Sequence, residues 1–222
     1  MLKHNLSQDW HETQNEDYLQ LIKSRAAEIE LVWVRQMFEI FLKRGGVLSV
    51  KDIGCQAFSV YKYIKNHSIN IDYFGYEIEY KYIKIGLSLF PELSDKITVG
   101  DFSLIESVVE TDLTVISATL EHVDEWDQFL KKALLSTRKT LYLRTFVGGK
   151  TVRSEGLKPG AIRPYIIWEF GLKDLLYQIE SSGFNVEIRR DEYTMSESLY
   201  LDVEPKKLER SMYVIIANRV SP

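Results

Sequence analysis

The chain has 222 residues, 45% hydrophobic and 27% charged, which bounds it to roughly one globular domain with room for an appendage and excludes whole-chain disorder. Its 28 Lys and Arg against 32 Asp and Glu leave a net charge of −4, which disfavours broad phosphate-backbone binding. The single cysteine, Cys55, excludes an intramolecular disulfide framework and a multi-cysteine zinc site.

Residues 1–13 read as a polar arm, and Met1–Trp10 lacks the apolar stretch of a secretory signal. No apolar run approaches the roughly 18 residues of a bilayer span, so a cytoplasmic protein away from membranes is expected. Asn15–Lys23 and Arg25–Arg44 carry apolar residues at helical spacing, the second stopping at Gly45-Gly46. Together, residues 1–44 form an expected arm and helical cap. From there strands and helices alternate. Strand patterns at Val47–Ile53, Asn70–Tyr76, Lys96–Val99, Leu113–Ser117 and Lys139–Phe146 are separated by helical ones. Those helices are expected at Phe58–Asn66, Tyr80–Phe90, Phe102–Val109 and Asp124–Ser136. Val147–Trp168 reads as irregular and Gly-containing. A helix at Leu172–Ser182, a strand at Phe184–Tyr193, a loop at Ser196–Lys207 and a strand at Ser211–Asn218 close the chain. The alternation predicts an α/β domain over residues 45–222, a mostly parallel sheet covered on both faces. The last strands, with no helix between them, predict an antiparallel pair at one sheet edge. A loop insertion is expected at 147–169.

In open α/β sheets ligands bind at the carboxyl ends of the strands, near the switch point in strand order. Asp52, Glu77 and Asp101 fall at three successive strand ends. Each could instead be a helix N-cap or turn residue, but all three in register point to a ligand face. The segments Asp52-Ile53-Gly54-Cys55, Gly75-Tyr76-Glu77, Asp101-Phe102 and Asp112–Ser117 with Leu120-Glu121-His122-Val123 resemble, in order and spacing, the motifs of class I S-adenosylmethionine-dependent methyltransferases. The resemblance covers about residues 47–146. It implies a Rossmann-like seven-stranded sheet with an antiparallel last strand, and S-adenosylmethionine as cofactor. Glu77 then matches the ribose-binding acid, and Asp101 with Phe102 the pair flanking the adenine. Asp52, Gly54, Cys55, Gln56 and the carbonyls near Ser117 would surround the methionyl end.

The chemistry agrees with that assignment. A carboxylate can accept hydrogen bonds from both ribose hydroxyls, and the 23 residues from Gly54 to Glu77 are near the roughly 20 expected for such an acid. Two positions depart from the family turn, where Gln56 and Phe58 replace glycines. Their bulk is expected to narrow the amino-acid end of the pocket, although Gln56 could bond the cofactor's amino-acid group. That departure supports a rival reading, a non-catalytic methyltransferase-like protein that binds the cofactor or a partner. A G-x-G-x-x-G run is missing, which counts against a nicotinamide dehydrogenase. Ser117-Ala118-Thr119-Leu120 replaces the Asn-Pro-Pro-Tyr of base-amine methylation, and no clustered Asp and Asn set suggests a metal.

The acceptor is expected to be a small molecule, with O-methylation favoured over N-methylation. His122, just past the fourth strand, is the candidate general base, its alternative being a backbone-bonded helix-start residue. Lys150, Arg153, Lys158 and Arg163 against Glu155 alone suggest a basic lid over an anionic acceptor, with Tyr165, Trp168 and Phe170 as an apolar wall.

Overall fold

A computed structural model of the protein describes residues 16–27, 29–44, 46–156, 165–191, 199–201 and 208–220. Helices α1 (Glu16–Ala27) and α2 (Val32–Arg44) precede β1 (Ser49–Ile53), α3 (Ser59–Asn66), β2 (Asp72–Glu77), α4 (Tyr80–Leu89) and β3 (Ile97–Val99). Then come β4 (Thr111–Ser117), α5 (Trp126–Leu135), β5 (Thr137–Gly148), β6 (Val152–Gly156) and β7 (Tyr165–Gly171). The chain closes with α6 (Leu172–Glu180), β8 (Phe184–Arg190), β9 (Leu199–Leu201) and β10 (Leu208–Arg219). The hydrogen-bonded path of the sheet is β3-β2-β1-β4-β5-β10-β8. β10 pairs antiparallel with β8, as the missing helix between them predicted. This is the Rossmann-like mostly parallel seven-stranded order with a reversed last strand. Among the described residues, no helix is long and apolar enough to cross a membrane.

Two compact units share β4 and β5. One comprises Asn15–Val115 with Ser136–Thr140; the other is built on Ile116–Leu135 and the chain from Leu141 onward. In the first, β1 is buried along its whole length and pairs parallel with β2, Asp52 opposite Gly75 and Ile53 opposite Tyr76. The continuous burial fits a strand covered on both faces. Lys51 is fully buried in it and its Nζ donates to the carbonyls of Val109 (3.1 Å) and Ser136 (2.9 Å) and to Ser136 Oγ (2.5 Å). Three acceptors for three donors make this lysine a tie between β1, the segment before β4 and the start of β5. In the second unit, buried Leu141, Leu143, Phe170, Leu175, Ile179, Phe184, Ile215 and Ile216 form the apolar interior.

Several expected boundaries move. The first two helices break at residues 29–31 rather than at Ser24, because Lys62 Nζ takes the carbonyls of Arg25 (2.9 Å) and Ile29 (2.8 Å). The expected helix Phe102–Val109 is not helical. Asp101 Oδ1 accepts the Ser103 N–H at 2.9 Å, a local turn that competes with a first helical bond, and the Val109 N–H goes to Tyr76 Oη at 3.0 Å. The stretch expected to be irregular continues β5 to Gly148 and then forms β6 and β7, antiparallel partners with Val152 opposite Glu169 and Gly156 opposite Tyr165. The segment expected to be a loop at Ser196–Lys207 contains β9, paired with β10. Residues 1–15 and 157–164, with Lys158 and Arg163 of the expected lid, lie outside the described residues.

Candidate functional site

The strand order reverses beside β1, so its carboxyl end is where an open α/β sheet offers a ligand site. The turn there is hooked to β2: the N–H groups of Gly54 and Cys55 donate to the Tyr76 carbonyl at 2.8 and 3.2 Å. Gly54 has φ 80°, Gln56 φ 48° and Phe58 φ 69°. The backbone thus keeps left-handed conformations at two positions that carry side chains, where each costs of order 1–3 kcal/mol. Phe58 is fully buried, and its ring lies over α4, where a Cβ on Gly86 would come within 2.3 Å of it. Its bulk is received by the notch that Gly86 leaves in α4.

Glu77 closes β2 with a buried carboxylate. Its Oε2 accepts the Gln56 N–H and its Oε1 the Glu79 N–H, both at 2.9 Å. Burial pushes Glu77 up to about 7 from an ordinary 4.5, against the pull of those backbone donors. Asp52 is buried too and accepts the Tyr73 hydroxyl at 3.0 Å. Burial likewise raises it to about 7, opposed by the Tyr73 bond and assisted by the Glu77 charge. Cys55 sits between them, its thiol pushed up by burial and by both carboxylates. A Cβ on Gly75 would meet Ile97 Cδ1 at 2.7 Å and Cys55 Sγ at 2.9 Å, so the glycine is what lets the turn close on β2. Half-buried Asp101 holds its own turn through Ser103, and buried Phe102 stands edge-on to Tyr76, centroids 5.3 Å apart.

These buried groups set a pH signature for stability. Asp52 and Glu77 hold protons in the folded state up to about pH 7, and unfolded carboxyls release them near 3.8 and 4.5. The stability this contributes is complete below those lower values and is lost as pH rises through about 7. Lys51 is depressed from 10.5 to about 7, mainly by burial, so its contribution is complete above 10.5 and is lost as pH falls through about 7. Thermal melts at pH 5, 7 and 9 should show Asp52→Asn removing part of the parent's loss of stability between pH 5 and 7. An unchanged loss would place the titration elsewhere.

In the second unit, β4 ends at Ser117, followed by Ala118 at φ 52° and a short 3-10 turn, Leu120–His122. The Ala118 N–H donates to the Arg144 carbonyl at 2.8 Å. Buried Glu121 accepts the Thr145 hydroxyl at 2.9 Å, which makes it an anchor of this turn. His122 Nδ1 lies 3.1 Å from the Ile166 carbonyl of β7. A carbonyl only accepts, so Nδ1 carries the proton and Nε2 the lone pair. Trp168 Nε1 donates to the Val123 carbonyl at 2.9 Å and its ring joins Trp126 and Phe170 in an aromatic cluster. Arg153 of the expected lid is already paired with Asp124 at 3.3 Å and with Glu155.

The structure thus brings Asp52, Gly54, Cys55, Gln56, Glu77, Asp101 and Phe102 into one unit, and Ser117 and His122 into the other. Sequence reasoning missed Tyr73, Lys62, Arg144 and Asp191. Arg144 Nη2 meets Asp191 at 2.7 Å and its Nη1 reaches Ser117 Oγ at 3.4 Å, an ion pair buried at the end of β4. An arginine inside an apolar strand was the available signal; its partner 47 residues on was not visible.

No family model matches the chain, and no curated protein matches it. Solved structures do. An S-adenosylmethionine-dependent methyltransferase from Clostridium acetobutylicum aligns with TM-score 0.65 at 8% identity, over 92% of this chain and 98% of that one. The 1,6-didemethyltoxoflavin-N1-methyltransferase of Burkholderia thailandensis, solved with 1,6-didemethyltoxoflavin and S-adenosylhomocysteine, aligns with TM-score 0.64 at 12% identity, over 97% and 88%. The [4+2]-cyclase SpnF aligns with TM-score 0.62 at 14% identity, over 86% and 81%. At these identities the likeness establishes the fold, which is that of the class I methyltransferases.

Proposed function

We propose that the chain transfers a methyl group from S-adenosylmethionine to a small-molecule acceptor, oxygen being favoured over nitrogen. One observation carries this reading: a buried carboxylate, Glu77, closes β2 directly against the turn after β1 and is fixed there by two backbone N–H groups. A carboxylate has about four acceptor sites, more than the backbone donors around it fill, so a ribose hydroxyl can still be received. Phe58 is buried with its ring against Gly86 of α4. The residues therefore fit an adenosine moiety, with Asp101 for the adenine amine and Phe102 as the ring beside it. Asp52, Gly54, Cys55, Gln56 and Ser117 are assigned to the methionyl end. Bound there, the cofactor supplies an electrophilic methyl group on its sulfonium. The chain's own work is alignment of the acceptor and, for an oxygen or nitrogen acceptor, removal of its proton by His122 Nε2.

A second reading, a non-catalytic binding protein, is favoured by Gln56 and Phe58 in place of glycines. SpnF illustrates that this fold also carries a cyclase. Calorimetry with S-adenosylhomocysteine needs no acceptor and tests the first step. Hydrogen bonds to charged groups are worth about 1.5–3 kcal/mol each, so above pH 7, where Glu77 is ionised, Glu77→Ala should weaken binding at least about tenfold. Glu79→Ala, which keeps the backbone N–H donated to Glu77, should change it little. Parent protein that binds no cofactor would sink the methyltransferase reading, and equal small effects would remove the ribose assignment. Binding without turnover across acceptor classes would favour the non-catalytic reading.

A further inference from the structure

A turn with Gln56 and Phe58 held left-handed relaxes unless something over-determines it. What surrounds it is α1. Buried Ile22 and Ala26 of that helix pack on Ala57, which lies between the two strained residues, and on Tyr82 of α4. The end of α1 is tied down in turn by Lys62, buried in α3 one helical turn after Phe58. Its ammonium takes the carbonyl of Arg25 in the last turn of α1 at 2.9 Å, an acceptor that a helix end leaves open, and that of Ile29 just beyond it at 2.8 Å. The Lys62 N–H donates to the Phe58 carbonyl at 2.9 Å, so the same residue holds both α1 and the turn. The contacts close into a ring: Ala57 and Phe58 to Lys62, Lys62 to the end of α1, and α1 back to Ala57.

We infer that Lys62 is a positioning residue which, by latching α1 onto Ala57, holds the glycine-poor turn in the shape that presents the Gln56 N–H to Glu77. The latch supplies the hold that glycines at 56 and 58 would make unnecessary. Its effect on affinity rests on the cofactor reading above; its effect on the turn does not.

Lys62→Met should raise the hydrogen-exchange rate of the Gln56 amide about tenfold and weaken S-adenosylhomocysteine binding by a similar factor. Lys62→Arg, which keeps the charge and the donors, should restore both. In a Gln56→Gly background, where the left-handed conformation at position 56 carries no strain, the same Lys62→Met change should alter affinity by less than about threefold. A merely structural lysine would lower the melting temperature by the same amount in both backgrounds and leave native-state affinity and the Gln56 amide unmoved. That result overturns the inference, as does an equal loss of affinity in both backgrounds. If Lys62→Met does not fold, Ile22→Ala perturbs the same contact more gently and should shift the Gln56 amide in the same direction. Native-state exchange on the parent adds a test without substitution: the Gln56 amide should open in one step with the α1 amides. Independent opening refutes the latch. Should the parent bind no S-adenosylhomocysteine, the methyltransferase reading falls, and the exchange measurements alone decide the latch.

Discussion

Asp191→Ala is expected to destabilise the protein by about 3–5 kcal/mol, because it leaves the Arg144 guanidinium buried without its carboxylate. Both side chains are almost wholly removed from water, 6% and 1% exposed, at a separation of 2.7 Å. Arg144 cannot neutralise itself to escape the site, since its guanidinium stays charged. At about 2–4 °C per kcal/mol for a chain of this size, the melting temperature should fall by roughly 6–20 °C. Arg144→Met together with Asp191→Leu, which removes both charges and keeps the volume, should recover most of that loss. A double variant as unstable as Asp191→Ala would show that packing or the Ser117 contact, not the unpaired charge, sets the cost. The position matters because the Arg144 carbonyl also accepts the Ala118 N–H, so the pair braces the turn that carries His122.

The parts of the molecule legible in the sequence are those governed by local pattern. β1 and β2 read as strands because short strand-like runs alternate there with helical patterns along the chain. Their closing acids could be placed because strand ends and ligand sites coincide in this architecture. What failed depended on partners far along the chain. Phe102–Val109 has a plausible helical pattern, but the Val109 N–H is claimed by Tyr76, 33 residues earlier. Glycines 148, 149 and 156 suggested a loop, whereas β6 gains its order only by pairing with β7. Phe58 looked like an obstruction to a cofactor. Only the structure supplies Gly86, 28 positions later, as the notch that receives its ring. Lys62 gave no signal at all, since a lysine at that spacing in an amphipathic helix reads as solvent-facing.

His122→Ala is expected to lower turnover by about 10²–10⁴-fold, measured as S-adenosylhomocysteine formed with an acceptor the parent methylates. The expectation follows from the ring's fixed tautomer. With Nδ1–H given to the Ile166 carbonyl at 3.1 Å, the basic nitrogen of the neutral ring is Nε2. The same bond sets the ring's orientation, because Ile166 belongs to β7 and is held by the β6 pairing opposite Glu155. Cofactor affinity should stay within a few-fold of the parent, since the ribose and adenine assignments fall on other residues. His122→Gln separates the two tasks a histidine could perform here. It can still hydrogen-bond to the Ile166 carbonyl and hold the turn, yet it offers no basic nitrogen. If proton removal is the task, the Gln variant should be as slow as the Ala variant, and the parent's pH–rate profile should contain an ionisation that both variants lack. Near-parental turnover in the Gln variant would instead make His122 a positioning residue and leave alignment of the acceptor as the chain's contribution to the rate. Near-parental turnover in the Ala variant would remove His122 from the reaction altogether.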